Sequence, residues 1–172
     1  PHGPMGTSPG QPVWDLTGGR FGPFTGQVFT GDYSRLVVRA SLEQVAGVWQ
    51  GACFPFLGRN EAAPHVTGAR LKGGGTRAAF APDGSLWIAC TAGWGAGEDG
   101  LQRVRWDGRA GLEIRDIKLA PRGLRVSFTR PLPLAELARP AAYEVNRFRY
   151  YYQSKYGSPP VDEARDRKST RL

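Results

Sequence analysis

The chain has 172 residues, a length suited to one or two domains, and its 40% hydrophobic and 11% aromatic content is enough to build a core. Its 24 glycines and 14 prolines argue for a turn-dense β protein over a helical one, and no apolar run approaches the ~18–20 residues of a membrane helix, so no membrane span is expected. The formal net charge of +8 is dispersed and clusters only from Arg165 to Arg171; with no recognised nucleic-acid module beside it, the expectation is a solvated basic surface and no nucleic-acid partner.

Residues 1–12 are rich in Gly and Pro without periodicity and read as a loop or linker. Short strands are predicted at Val13–Thr17, at Val28–Thr30 after Gly26, at Leu36–Ala40 and at Val48–Phe56. Gly73-Gly74-Gly75 is a flexible approach to an inner strand Arg77–Ala81, and Pro82-Asp83-Gly84 is a tight turn because Pro presets φ and Gly accepts a positive one. Strands follow at Leu86–Ala89, at Leu101–Trp106 beyond a Gly-rich loop over 92–100, and at Leu112–Leu119. Leu124–Phe128 alternates as a half-buried strand after the Pro121-Arg122-Gly123 turn. Pro133–Leu137 suits one helical turn, ended by Pro140, and Tyr143–Tyr152 alternates with Phe148, Tyr150 and Tyr152 on one face.

An approximate repeat organises these elements. Gly26-Gln27-Val28-Phe29-Thr30 reappears about 58 positions later as Gly84-Ser85-Leu86-Trp87-Ile88, each copy being a set of short strands with tight turns. One such unit cannot bury its own faces and must stack on neighbours, which is the logic of a propeller blade. The expected fold is therefore all-β: a partial β-propeller of about two blades over residues 1–112, with blades at about 13–56 and 76–119, followed over 113–172 by the start of an Ig-like β-sandwich. The last strand of the second blade and the first of the sandwich overlap near 109–120. Two blades close no ring, so the chain reads as a piece of a larger protein whose remaining blades are its partner.

Cys53 and Cys90 lack the spacing and the neighbouring histidines of a zinc or c-type haem site, so no metal or cofactor is expected within this chain; a disulfide and two free thiols both remain open. Gly73-Gly74-Gly75 has no Walker lysine, His2 and His65 have no partner at useful spacing, and no Ser/His/Asp arrangement is visible.

Several segments carry a family resemblance across roughly residues 2–160. Trp14-Asp15-Leu16-Thr17-Gly18-Gly19-Arg20-Phe21-Gly22-Pro23-Phe24, Gly51-Ala52-Cys53-Phe54-Pro55-Phe56, Gly93-Trp94-Gly95 and Gly100-Leu101-Gln102-Arg103 resemble the late blades of a bacterial, planctomycete-type six-bladed β-propeller family. That family is similar to soluble quinoprotein glucose/sorbosone dehydrogenases. Tyr156-Gly157-Ser158-Pro159 resembles the segment that comes after the propeller in that family. The resemblance implies a secreted parent, periplasmic or extracellular, that oxidises a sugar or alcohol with pyrroloquinoline quinone and calcium and passes electrons to a c-type haem or a cytochrome c domain. The chain departs from the pattern where Thr91-Ala92 stand in place of a polar residue and an arginine, and the likeness fades after Val161.

The resemblance also implies a ligand face made of the loops at 31–35, 68–76 and 90–100. On it, Asp32 and Arg35 are candidates for contacting substrate, Trp94 for stacking on a sugar or flat cofactor, and Arg77 for pairing with a quinone carboxylate. Each has a plainer reading: Asp32 as a turn former bonded to its own backbone, Trp94 as a lid over a blade edge, Arg77 in a structural ion pair. The catalytic groups would lie in other blades, leaving two expectations for function: an inactive part of a quinone-dependent dehydrogenase, or a non-enzymatic secreted module that binds carbohydrate or a partner protein.

Overall fold

A computed structural model describes residue 6 and residues 8–58, 70–93, 97–154 and 159–165. The chain divides into two compact units, Gly3–Arg130 and Pro131–Leu172.

The larger unit is all-β. Strands β1 (Pro9–Trp14), β2 (Val28–Asp32), β3 (Leu36–Val45) and β4 (Val48–Leu57) form an antiparallel sheet in the order β1-β2-β3-β4. The strand expected at 13–17 therefore starts earlier, inside the stretch read as linker. It ends at Trp14 because Asp15 turns the chain, its Oδ1 accepting from the Thr17 amide at 2.9 Å and the Thr17 hydroxyl at 2.7 Å. Strands β5 (Gly74–Phe80), β6 (Leu86–Thr91) and β7 (Gly100–Val104) form a second, three-stranded sheet. Here the glycine run is no flexible approach. Gly74 and Gly75 lie buried in β5, and a Cβ on Gly75 would stand 2.8 Å from the Cα of Gly31, so the two sheets touch backbone to backbone.

The fourth strand of the second sheet is a correction. Residues 114–120 do form a strand, β8 (Ile114–Ala120), but it pairs with β9 (Gly123–Phe128) and not with β7. The buried guanidinium of Arg39 on β3 is the physical reason. It donates to the carbonyl oxygens of Ile114 and Arg115, the latter at 2.8 Å, and so draws β8 onto the first sheet.

The core lies between the two sheets. Phe29 and Val37 of the first sheet meet Ala78, Leu86, Ile88 and Cys90 of the second, and Phe21 and Phe24 enter from the long β1–β2 connection. The rings pack edge to face, Phe21 on Phe80 at 5.0 Å and Phe29 on Phe56 at 5.0 Å, a geometry that adds about 0.5–1.5 kcal/mol per pair beyond area burial. Cys53 is exposed and Cys90 buried, both as free thiols; burial pushes the Cys90 thiol up from its ordinary range.

The repeat is structural as well as sequential. Gly26 and Gly84 both hold φ at 85°, a left-handed conformation that glycine tolerates. The Gly26 amide donates to the Asp15 carbonyl at 2.8 Å, as the Gly84 amide does to Ala81 at 2.9 Å. Asp15 N–H bonds Gln27 O as Ala81 N–H bonds Ser85 O, both at 2.8 Å. Onward along the strands, Phe29 lies across from Arg39 and Trp87 across from Arg103. Each arginine bonds the residue after its glycine: Arg39 Nη1 donates to Gln27 Oε1 at 2.8 Å, Arg103 Nε to Ser85 Oγ at 3.0 Å. The two sheets are thus variants of one unit.

In the smaller unit the expected helical turn forms as α1 (Leu134–Leu137). Pro140 does not simply stop it but opens a 3-10 turn over Pro140–Ala142, where its missing N–H costs nothing. The aromatic strand expected over 143–152 shrinks to β10 (Asn146–Arg149), paired antiparallel with β11 (Val161–Arg165). Tyr150 and Tyr152 are 47% and 108% exposed, so the alternating aromatic face is not buried.

Candidate functional site

The described parts of the loops nominated from the sequence, residues 31–35, 70–76, 90–93 and 97–100, are tied to one another by hydrogen bonds. Asp32 closes β2 and is buried, and its carboxylate is spoken for: Oδ2 accepts from the Ser8 amide at 2.8 Å, while Oδ1 accepts from the Ser34 amide at 2.7 Å and from the Ser34 hydroxyl. Arg35 sits three residues on in a left-handed conformation, φ 67°, with its amide bonded to Asp32 O at 3.0 Å. Its Nε donates to the Leu71 carbonyl at 3.2 Å, tying this loop to the start of the second sheet. Arg77 is exposed on β5, its Nη1 donating to the neighbouring Thr76 carbonyl at 3.2 Å. Trp94 lies outside the described residues.

The loops around 70–76 and 90–100 are joined by backbone and side-chain bonds. Glu98 N–H donates to Lys72 O at 2.9 Å, Ala92 N–H to Asp99 Oδ1 at 2.9 Å, and the Lys72 amide to Gln102 Oε1. Asp32 and Arg35 are therefore brought together by one turn, and the bonds in this region serve mainly to fix the loops.

A second feature was not nominated from the sequence. An open cleft of about 290 Å³ lies in the larger unit, with Phe21, Phe24 and Phe56 as its apolar wall and Trp106, Arg105 and Glu113 among its polar and aromatic lining. Trp106 is 40% exposed, and its indole Nε1 donates to Arg109 O at 3.0 Å, which fixes the ring at the cleft's edge. Glu113 pairs at 3.6 Å with Arg39 Nη2. Thr129 closes the same stretch, its hydroxyl accepting from the Glu113 amide at 3.0 Å.

Arg39 is the electrostatic centre behind this cleft. It is 1% exposed and sandwiched between the rings of Phe24 and Phe54, each 4.3 Å from the guanidinium carbon. Burial pushes its pKa down to about 10, opposed by the nearby Glu113 and Asp116 carboxylates, so the group stays cationic at neutral pH. The signal was present in the sequence as a lone charge in the apolar run Leu36-Val37-Val38-Arg39, at a position facing the core. Trp106 offered no such signal, because a tryptophan at a strand end reads equally as core.

Among the described residues no group of three or more His, Cys, Asp or Glu side chains is placed to hold a metal ion, and no helix is long and apolar enough to cross a membrane. Neither a family model, nor a curated protein, nor a solved structure gives a significant match to this chain.

Proposed function

We propose that this chain is a two-blade portion of a secreted β-propeller protein, periplasmic or extracellular, which binds carbohydrate and leaves any quinone-dependent sugar oxidation to groups outside it. The repeat shared by the two sheets supports the blade reading, and residues 113–172 are then the start of the sandwich. The observation that carries the binding role is the cleft beside Trp106. A fixed, half-exposed indole in the same cleft as the carboxylate of Glu113 offers what a sugar needs, an apolar face to stack on and acceptors for its hydroxyls. Against catalysis by these residues stands Asp32, the carboxylate nominated on the loop face, whose two oxygens already serve Ser8 and Ser34.

The test is a titration of the chain with neutral mono- and oligosaccharides, read by tryptophan fluorescence and amide chemical shifts. The expected result is saturable binding with shifts around Trp106 and Glu113, weakened about tenfold or more by Trp106→Ala. Absence of saturation, or a Trp106→Ala variant that binds equally well, refutes the site. Dye-linked sugar oxidation by this chain alone, after adding pyrroloquinoline quinone and calcium, refutes the non-catalytic role.

A further inference from the structure

Charge in the Trp106 cleft is unevenly used. Four ionisable side chains line it: Arg105, Asp107, Arg109 and Glu113. Glu113 is matched by the buried Arg39, whose Nη2 stands 3.6 Å from its carboxylate, so this cation and this acid offset each other. Asp116, the other carboxylate near Arg39, pairs with Arg115 at 3.0 Å and leaves the balance unchanged. Asp107 is a turn former, its Oδ1 accepting from the Arg109 amide at 2.9 Å. Arg105 and Arg109 are exposed, and among the described residues neither guanidinium takes part in an ion pair. With Arg39 included, three cations stand against two carboxylates in and directly behind the cleft, a surplus of positive charge.

The two arginines bracket the indole in the chain. Arg105 immediately precedes Trp106, and Arg109 supplies the carbonyl that accepts from the indole Nε1 at 3.0 Å. Ala110 and Gly111 line the cleft beside them and add no bulk. The long arginine stem lets a guanidinium reach a substituent on a ring stacked against Trp106. A neutral sugar offers such a group only hydroxyls. An anionic substituent offers acceptor oxygens on a negative charge, which the planar guanidinium fork binds more strongly.

We propose that the cleft takes an acidic saccharide, a sugar whose ring carries a carboxylate or sulfate group, stacked on Trp106 with its anionic group paired to Arg105 and Arg109. The inference rests on the sugar-binding reading of this cleft and names its ligand class. Pairing at exposed arginines is screened by salt, so the preference for the acid over a neutral sugar is greatest at low ionic strength.

The probes are an oligogalacturonate and its methyl ester, which share every ring and differ in charge. Each is titrated into the full chain and read by tryptophan fluorescence and by the amide shifts of residues 105–113. The acid is expected to bind about fivefold tighter than the ester in about 0.01 M salt, an advantage that shrinks in about 1 M salt. In Arg105→Gln/Arg109→Gln the two affinities are expected to converge, and the Arg109 backbone that holds Trp106 is kept. Arg122→Gln/Arg125→Gln removes the same charge from exposed positions of the β8–β9 hairpin and is expected to keep the preference. A sulfated galacto-oligosaccharide separates the two anions: tighter binding than the uronate assigns sulfate, weaker binding assigns carboxylate, and equal binding assigns either. Equal loss of preference in the two double variants overturns the proposal, because the +8 surface at large would then be the cause. Displacement of the uronate by an oligoglutamate peptide at equal concentration also overturns it, since the cleft would then read charge without a sugar. Saturation by the ester with no advantage for the acid overturns this inference and leaves the sugar reading standing, whereas failure of both to saturate overturns the two together.

Discussion

Asp83 shows how much the second hairpin depends on one carboxylate. Its Oδ1 accepts from the Ser85 hydroxyl at 2.6 Å and the Ser85 amide at 2.9 Å, and its Oδ2 pairs with Arg103. These bonds, with Ser85 first and Arg103 second, hold its pKa down to about 2 from an ordinary 3.8. A depressed acid favours the fold in its ionised form, so this contribution is complete above pH 3.8, fades as pH falls, and is gone once pH passes below about 2. Asp83→Asn keeps an acceptor for Ser85 and removes only the charge. The expected outcome in acid-unfolding curves is a flatter dependence of stability on pH within that window, with little change in curve shape at neutral pH. Identical slopes for both proteins would show that the carboxylate is not linked to folding. The sequence marked Pro82-Asp83-Gly84 as a turn and could go no further, because the Arg103 partner arrives from a strand twenty positions away.

At the level of elements, strands were legible from alternation and turns from Gly and Pro, whereas pairing was not. The expected strand at 112–119 exists, but its neighbour is chosen by Arg39, a long-range hydrogen bond that no local pattern announces. Likewise the buried glycines of β5 read as a flexible approach, since a close approach of two backbones leaves no apolar signature. Asp32 and Arg35 share one turn that their spacing makes visible, and the plainer reading of Asp32 matches the bonds it makes, while the Trp106 cleft needs four separate segments to meet. Arg39→Lys tests the first point. Lysine is a point charge without the planar fork that reaches Gln27, Ile114 and Arg115 together. Leaving part of that set unpaired is expected to cost about 1–3 kcal/mol in denaturant unfolding. Hydrogen exchange of β8 and β9 amides should accelerate more than that of β2. Equal acceleration in both would mean that Arg39 stabilises the core generally and does not hold the hairpin.

Over the whole molecule, the two units differ in how they are stabilised. The larger unit stacks two sheets around an interdigitated aromatic core, with Phe29, Leu71, Leu86 and Ile88 fully shielded from solvent. The smaller unit has no buried residue in α1 or in the 3-10 turn, and its sheet has two strands. Its ion pairs, Arg149 with Asp162 and Arg165 with Glu144, both span 3.9 Å between exposed side chains and add little. A two-stranded sheet with no buried residue in either strand is marginal in water, so opening of β10 and β11 needs far less free energy than opening of β2 or β6. Native-state hydrogen exchange is expected to show protection rising from near none in β10 and β11 to the global unfolding limit in β2 and β6. Protection of β10 at the level of β6 would mean that the two units unfold as one.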